Sequence, residues 1–173
     1  VSVLDLGCGE GRLLRELLKV PGLTKITGVE VAPRVLASAG DRLKLDHMPD
    51  MKRQRIELLQ GSLVYRDDRL KGFDAAAVIE VIEHMEAERL PAFEAAIFGH
   101  ARPGAVIVTT PNREYNALFE GMVSGAMRHP DHRFEWTRAE FRHWAESLEL
   151  AYGYAVRFDG IGTEDASLGH PTQ

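Results

Sequence analysis

The sequence predicts an α/β fold: a mostly parallel, twisted sheet with helices on both faces. Two observations carry this. Short apolar runs alternate with amphipathic stretches along the chain, as successive βαβ units would. A glycine-rich turn also sits where the first apolar run gives way to the first amphipathic stretch. In such a sheet ligands bind beyond the carboxyl ends of the strands, so polar residues placed there come under scrutiny first.

The elements follow in chain order. "VSVLDL" (1–6) is a short apolar run ending in glycines, which reads as a buried strand. "GRLLRELLKV" (11–20) puts Leu13, Leu14, Leu17 and Leu18 at helical spacing, and Pro21-Gly22 stops it. "KITGVEV" (25–31) is the second strand. "PRVLASAGDRLKL" (33–45) is a helix with Pro33 in its first turn. "QRIELLQG" (54–61) and "FDAAAVIE" (73–80) are strands three and four. "EAERLPAFEAAIFGHA" (86–101) is a helix bent or started by Pro91, and "GAVIVTTP" (104–111) is strand five. Residues 112–136 are irregular and polar-aromatic. "TRAEFRHWAESLEL" (137–150) is a helix whose Thr137 and Glu140 form a capping box. "YAVRF" (154–158) is expected to be a sixth strand, and the tail after it has no clear element. The strand-end rule then gathers Asp5, Glu30, residues 60–62, Glu80 and residues 110–112 around one crevice.

Composition narrows the classes. A length of 173 residues suits a single domain, 1–173, and the start inside a strand suggests a piece of a longer chain. Apolar residues make up 45%, enough for a core. The lone cysteine, Cys8, excludes an internal disulfide and fits a reducing, cytoplasmic location. No signal peptide is visible, and no apolar run approaches the roughly 20 residues of a membrane span. The net charge of −5 does not advertise nucleic-acid binding, although "MKRQR" (51–55) and "MRHPDHR" (127–133) are locally basic.

"LDLGCGEGR" spaces Gly7, Gly9 and Gly11 as G-x-G-x-G, and Glu30 follows Gly11 by 19 residues at the end of the second strand. Glycines let the backbone turn tightly and approach a ligand, and a carboxylate at Glu30 can accept from both ribose hydroxyls of a nucleoside. A dinucleotide fold would place its third glycine one residue later, around a pyrophosphate. Here Asp5 precedes the first glycine, and an acidic neighbour suits a cationic ligand instead. The segment resembles motif I of class I S-adenosylmethionine-dependent methyltransferases, a Rossmann-like fold. That resemblance implies that Asp5 helps hold the amino-acid end of the cofactor. It puts Glu30, with Val31 after it, on the ribose, Ser62 by the adenine, and Gly7 and Gly9 in the loop.

"AAVIEVIEHMEAERL" (76–90) crowds Glu80, Glu83 and His84 onto the rim of an apolar strand. On a helical turn these positions, i, i+3 and i+4, share one face. Two carboxylates that close repel, and a divalent cation removes the conflict. The plainer alternative is a helix start, where acidic residues favour the dipole; it accounts for Glu83 and Glu86 but not for His84. A zinc-hydrolase motif would read H-x-x-E-H, and Glu80 stands where its first histidine belongs. "RHPDHRFEWTR" (128–138) adds His129, Asp131 and His132 in a loop.

Taken together, "EVIEHM", "TTPNREYN" and "DHRFEWTR" resemble the HEN-type small-RNA 3′-terminal 2′-O-methyltransferases over nearly the whole chain. "SLVYRD" (62–67) and "RLKLDHMP" (42–49) look more like the bacterial RNA-repair branch. The resemblance implies transfer of a methyl group from S-adenosylmethionine to the 2′-hydroxyl of the last nucleotide of a single-stranded RNA, leaving S-adenosylhomocysteine. It implies a metal, Mg²⁺ or Mn²⁺, held by Glu80, Glu83, His84 and His132 and gripping the 2′- and 3′-oxygens together. His129 would lie near the reacting hydroxyl as general base. The other histidines, His47, His100, His143 and His170, are expected at the surface. Tyr115, Phe134 and Trp136 are candidates for base stacking, with packing favoured for Trp136, and Arg128, Arg133 and "MKRQR" for phosphates. A kinase–phosphatase–ligase would be the repair partner, through regions outside this stretch; no membrane is involved. The chain stops at "GHPTQ" where the family enters its last strand, so that strand is expected to be missing. Two alternatives stay open: an O-methyltransferase of a small vicinal diol, and a catalytically silent cofactor-binding module of a repair complex.

Overall fold

The computed structural model describes residues 1–123 and 125–173. Five strands form one sheet in the order β3-β2-β1-β4-β5: β1 (Ser2–Leu6), β2 (Lys25–Glu30), β3 (Ile56–Gln60), β4 (Ala75–Ile79) and β5 (Ala105–Thr109). β1 runs parallel to both β2 and β4, and β2 parallel to β3. The chain steps outward from β1 to β3, then returns to the other side of β1. Crossovers of this kind are right-handed, so the reversal sends helices to both faces of the sheet. It also opens a crevice at the carboxyl ends of β1 and β4, the switch point where such folds bind ligands.

The chain forms two compact units, one of Val1–Ile79 with Ala92–Val108, the other of Glu80–Pro91 with Thr109–Gln173. In the first, β1 and β2 are buried on both faces over nearly their whole length, as their near-continuous apolar sequence requires. α1 (Arg12–Leu17) and α2 (Pro33–Leu43) cover one side. Leu14, Leu18, Ile26, Leu43 and Ile56 pack there with Cys8. The contact is close. A Cβ on Gly28 would lie 2.6 Å from Leu14 Cδ1 and 3.0 Å from Cys8 Sγ, so only glycine lets α1 sit against β2.

Two helical expectations needed revision. The stretch 11–20 is helical only over Arg12–Leu17, because Val20 and Leu23 already turn into the Pro21-Gly22 stop. The stretch 86–101 is three short segments: a 3₁₀ turn at Ala87–Arg89, α4 (Leu90–Glu94) with Pro91 in its first turn, and a wider π-helical run at Ala95–Ala101. Short α3 (Asp50–Arg53) was not foreseen.

The second unit is built around α5 (Arg138–Tyr152). The predicted capping box is present, with Thr137 and Glu140 satisfying each other's backbone N–H groups. Trp136, Phe141 and Trp144 form an aromatic cluster on this helix, with ring centroids 5.4–6.4 Å apart. The expected sixth strand at 154–158 is a correction. Its residues alternate half-buried and exposed with the period of a strand, but no ladder joins them among the described residues. A strand needs a paired neighbour as well as its own periodicity, and sequence reports only the second. The tail is tied down by Asn112. Its Nδ2 donates to the Leu168 and His170 carbonyls, both at 2.8 Å, and its N–H to Pro171 O at 2.9 Å. Thr110 and Gln173 exchange backbone hydrogen bonds across the same antiparallel contact. No described helix is long and apolar enough to cross a membrane.

Gly28→Ala is expected to lower stability by about 1–3 kcal/mol, the usual penalty for overfilling a packed core. Chemical denaturation of the wild type and variant checks this.

Candidate functional site

The first unit places the predicted cofactor residues at the carboxyl ends of β1 and β2. Gly7, Gly9 and Gly11 all have positive φ, 79°, 52° and 78°, which other residues rarely adopt. Gly7 and Cys8 donate their N–H groups to Val29 O, which fastens the loop to β2. Glu30 takes up one N–H on each carboxylate oxygen, from Gly9 at 3.2 Å and from Ala32 at 2.9 Å. Its remaining lone pairs can still accept from two vicinal hydroxyls. Val31 is exposed beside it. Ser62 lies half-buried just after β3, its hydroxyl accepting from the Val64 N–H.

Asp5 is the anomaly. It is 3% exposed and its Oδ2 has no hydrogen-bond partner. Burial pushes its carboxyl pKa up to about 7. An unpaired buried carboxylate is costly, and a cationic group brought to Oδ2 would remove the cost. The donor set therefore fits a ligand with an ammonium and a ribose.

The second unit gathers Glu83, His84 and His132, with one ligand atom from each lying within 4.8 Å of the others. Glu83 and His84 stand on a 3₁₀ turn, Ile82–His84, directly after β4. His132 comes from the irregular loop, which is pinned to that turn by the Arg133 N–H donating to Glu83 O at 2.7 Å. Glu83 is fully buried; Oε2 accepts from Thr110 Oγ1 at 3.1 Å, while Oε1 has no partner. Burial, reinforced by the Glu80 charge, pushes the Glu83 carboxyl up to about 7. Burial, together with the neighbouring His132, lowers the His84 imidazole. Both directions are those of a cluster lacking a counter-charge. His132 has a second partner: its Nδ1 lies 2.6 Å from Glu135 Oε1. Histidines that bind metals are usually anchored this way. An orphaned carboxylate oxygen beside two imidazoles, one of them anchored, fits a divalent cation.

Glu80 departs from the expected picture. It is not on a helical face with Glu83 and His84: its φ is +53°, which breaks the turn at the end of β4. Its Oε1 accepts from Thr109 Oγ1 at 3.0 Å, and it falls outside the three-residue group. It is near enough to Glu83 for its charge to raise that carboxyl. His129 is exposed, with its ring 5.6 Å from His132 and 6.1 Å from His84, and its Nδ1 accepts from the Asp131 N–H. Of the other histidines, His47 and His143 are exposed as expected, whereas His100 and His170 are half-buried.

Several basic residues expected to meet phosphates hold the protein together instead. Arg128 donates from Nε to Asn116 Oδ1, from Nη1 to Pro171 O and from Nη2 to Asn112 O, so its fork is fully engaged. Arg133 pairs with Glu86 at 3.1 Å. Within "MKRQR", Arg55 caps the carbonyls of Leu18, Val20 and Leu23, and Arg53 donates to Ile56 O. Trp136 packs against Phe134 at 4.5 Å, and Tyr115 meets Phe119 at 6.0 Å. Glu135 was overlooked in the sequence. Its one visible signal was a carboxylate three residues after His132.

Comparison with known proteins identifies the family. The family described as "Methyltransferase domain" matches residues 3–104. The methyltransferase domain of a bacterial CtHen1 has a TM-score of 0.90 and 53% identity, covering 99% of this chain and 86% of that one. The chain belongs to the HEN-type small-RNA methyltransferase family. Its sheet is therefore the class I, Rossmann-like methyltransferase fold. A rat (Rattus norvegicus) small RNA 2′-O-methyltransferase is 39% identical over 98% of this chain, and an Arabidopsis thaliana relative is 34% identical over 93%. Higher identity to the bacterial domain places this HEN-type chain in the bacterial branch. It spans 43% of the length of the rat relative and 19% of the Arabidopsis one.

The raised Asp5 pKa has a definite sign. Between pH 3.8 and about 7 the unfolded chain has lost this proton while the folded one keeps it. Asp5 thus makes the ligand-free protein less stable as pH rises through that window, with no further loss above it. Asp5→Asn removes this contribution. Its stability relative to the wild type is expected to climb from pH 4 to about 7 and then level off, as read by urea denaturation at each pH.

Proposed function

We propose that this chain transfers a methyl group from S-adenosylmethionine to the 2′-hydroxyl of the 3′-terminal nucleotide of RNA, in a metal-dependent reaction. The observation that carries this reading is the fully buried Glu83, with an orphaned oxygen, grouped with His84 and the anchored His132 in a HEN-type chain. The CtHen1 and small RNA 2′-O-methyltransferase relatives support the substrate class. The bacterial likeness supports a role in marking RNA ends during repair, beside a kinase–phosphatase–ligase reached through other regions.

S-adenosylmethionine supplies a methyl group already activated by its sulfonium, leaving S-adenosylhomocysteine. Asp5 accepts from the ammonium of its amino-acid end, Glu30 from the ribose hydroxyls, and Val31 and Ser62 border the nucleoside. Gly7 and Gly9 let the loop backbone approach. Glu83, His84 and His132 hold the cation, with Glu80 as the fourth ligand. A divalent cation lowers the pKa of a hydroxyl and orients it, and two imidazoles favour Mn²⁺ over Mg²⁺. Acting as general base, His129 takes the hydroxyl proton, for which its Nδ1 contact to the Asp131 N–H has to open.

The test is incubation with labelled S-adenosylmethionine, Mn²⁺ and short single-stranded RNAs. Label is expected only in RNA ending in 2′-OH and 3′-OH, and none in 2′-deoxy, 3′-deoxy or 3′-phosphate ends. Chelation should abolish it. Equal labelling of the 3′-deoxy end, or activity surviving chelation, refutes the terminal-diol reading.

The variants Glu80→Ala, Glu83→Ala, His84→Ala and His132→Ala are each expected to lose transfer activity by more than the roughly 10–100-fold typical of losing an outer-shell partner of a metal site. Cofactor affinity by calorimetry should stay unchanged in them. It should fall instead in Asp5→Ala and Glu30→Ala.

A further inference from the structure

Glu135 carries the strongest observation that the reaction does not use directly. Its side chain is fully buried, and both oxygens are engaged. Oε1 lies 2.6 Å from His132 Nδ1 and accepts from the Arg128 N–H at 2.6 Å. Oε2 accepts from Asn116 Nδ2 at 2.6 Å. Asn116 cannot turn its amide round, because its Oδ1 already accepts from Arg128 Nε.

The consequence for His132 follows from donor and acceptor roles. Both Glu135 oxygens already accept from fixed N–H donors, the arrangement of a carboxylate, which only accepts, so the proton between Glu135 and His132 belongs to Nδ1. A neutral imidazole then has its lone pair on Nε2 alone. We infer that Glu135 is a positioning residue: it locks His132 in the Nδ1–H tautomer, so that Nε2 is ready as a donor, and thereby sets the affinity of the cluster for a divalent cation. The inference rests on the metal site proposed above. Anchors of this type commonly change metal affinity by about 10–100-fold when lost.

The network offers a clean test. Glu135→Gln removes the acceptor on one side only: whichever way the new amide turns, its NH₂ faces either Asn116 Nδ2 or the Arg128 N–H. Glu135→Gln with Asn116→Asp relieves the clash. The glutamine oxygen then accepts from His132 Nδ1 and Arg128 N, its NH₂ donates to the new carboxylate at 116, and Arg128 Nε keeps its acceptor. Two readouts apply. Long-range ¹H–¹⁵N correlation of histidine-labelled, metal-free protein reports the tautomer. Electron paramagnetic resonance of free Mn²⁺ reports affinity without any turnover.

The expected results are an Nδ1–H His132 in the wild type, mixed tautomers with about 10–100-fold weaker Mn²⁺ binding in Glu135→Gln, and restoration to within about threefold in the double variant. Should the single variant fail to fold, the double variant carries the test alone. An Nε2–H wild type, a Glu135→Gln protein binding Mn²⁺ within twofold of wild type, or a folded double variant with Nε2–H and undiminished affinity overturns the inference. His132→Ala separates the two claims. If it binds Mn²⁺ as tightly as wild type, His132 is no metal ligand and the affinity half of the inference falls with the site, whatever tautomer the metal-free spectrum shows.

Discussion

Burying a carboxylate is unfavourable unless every lone pair facing the interior finds a donor or a positive charge. This chain buries Asp5, Glu83 and Glu135 at 3%, 0% and 2% exposure, and it resolves them differently. Glu135 is satisfied from within the fold, by an amide, a backbone N–H and an imidazole. Asp5 and Glu83 each keep one oxygen without a partner. The first is structural in its satisfaction. The other two each leave a buried acceptor open. The same electrostatic rule thus separates a carboxylate satisfied within the fold from the two that are not.

The two unsatisfied carboxylates sit on opposite kinds of scaffold. Asp5 is in the middle of the sheet, paired in register with Gly28 on β2 and Ala77 on β4, and its position follows from the parallel ladder. Glu83 stands on a single 3₁₀ turn whose order depends on neighbours. Thr110 holds its side chain, and the Arg133 N–H holds its carbonyl. Arg128 joins Asn112, Asn116 and Pro171, so the irregular segment is ordered by side-chain hydrogen bonds instead of regular secondary structure. That is why basic residues in this loop are used internally, and why a loop without a helix or strand can still hold His132 in place.

Much of the first unit was legible. Apolar runs of five or six residues with glycine turns are buried parallel strands almost by necessity, and G-x-G-x-G with a distant glutamate points to a nucleoside whatever the surrounding detail. The capping box at Thr137 was equally readable, because its two hydrogen bonds span only three residues. The segment 154–158 was misread, since alternation describes a strand's faces and says nothing of its partner. The placement of Glu80 on one helical face with Glu83 and His84 fails for a related reason. Spacing of i, i+3 and i+4 assumes a continuous helix, and the positive φ at Glu80 ends that assumption. Arg128 was misassigned because charge is visible in sequence while the acceptors around it come from residues 12 to 43 positions away.

By itself, then, the sequence determined the runs that become β1 to β5, the glycine loop, the capping box at Thr137 and which side chains are candidates for holding a cofactor and a cation. These depend on periodicity, backbone permissiveness and side-chain chemistry, all of which are local. Tertiary structure alone decided which carboxylates are left unpaired, that Glu135 meets His132 Nδ1, and which arginines are engaged within the fold. Those outcomes depend on burial and on hydrogen-bond partners brought together from distant positions, and no local pattern encodes them.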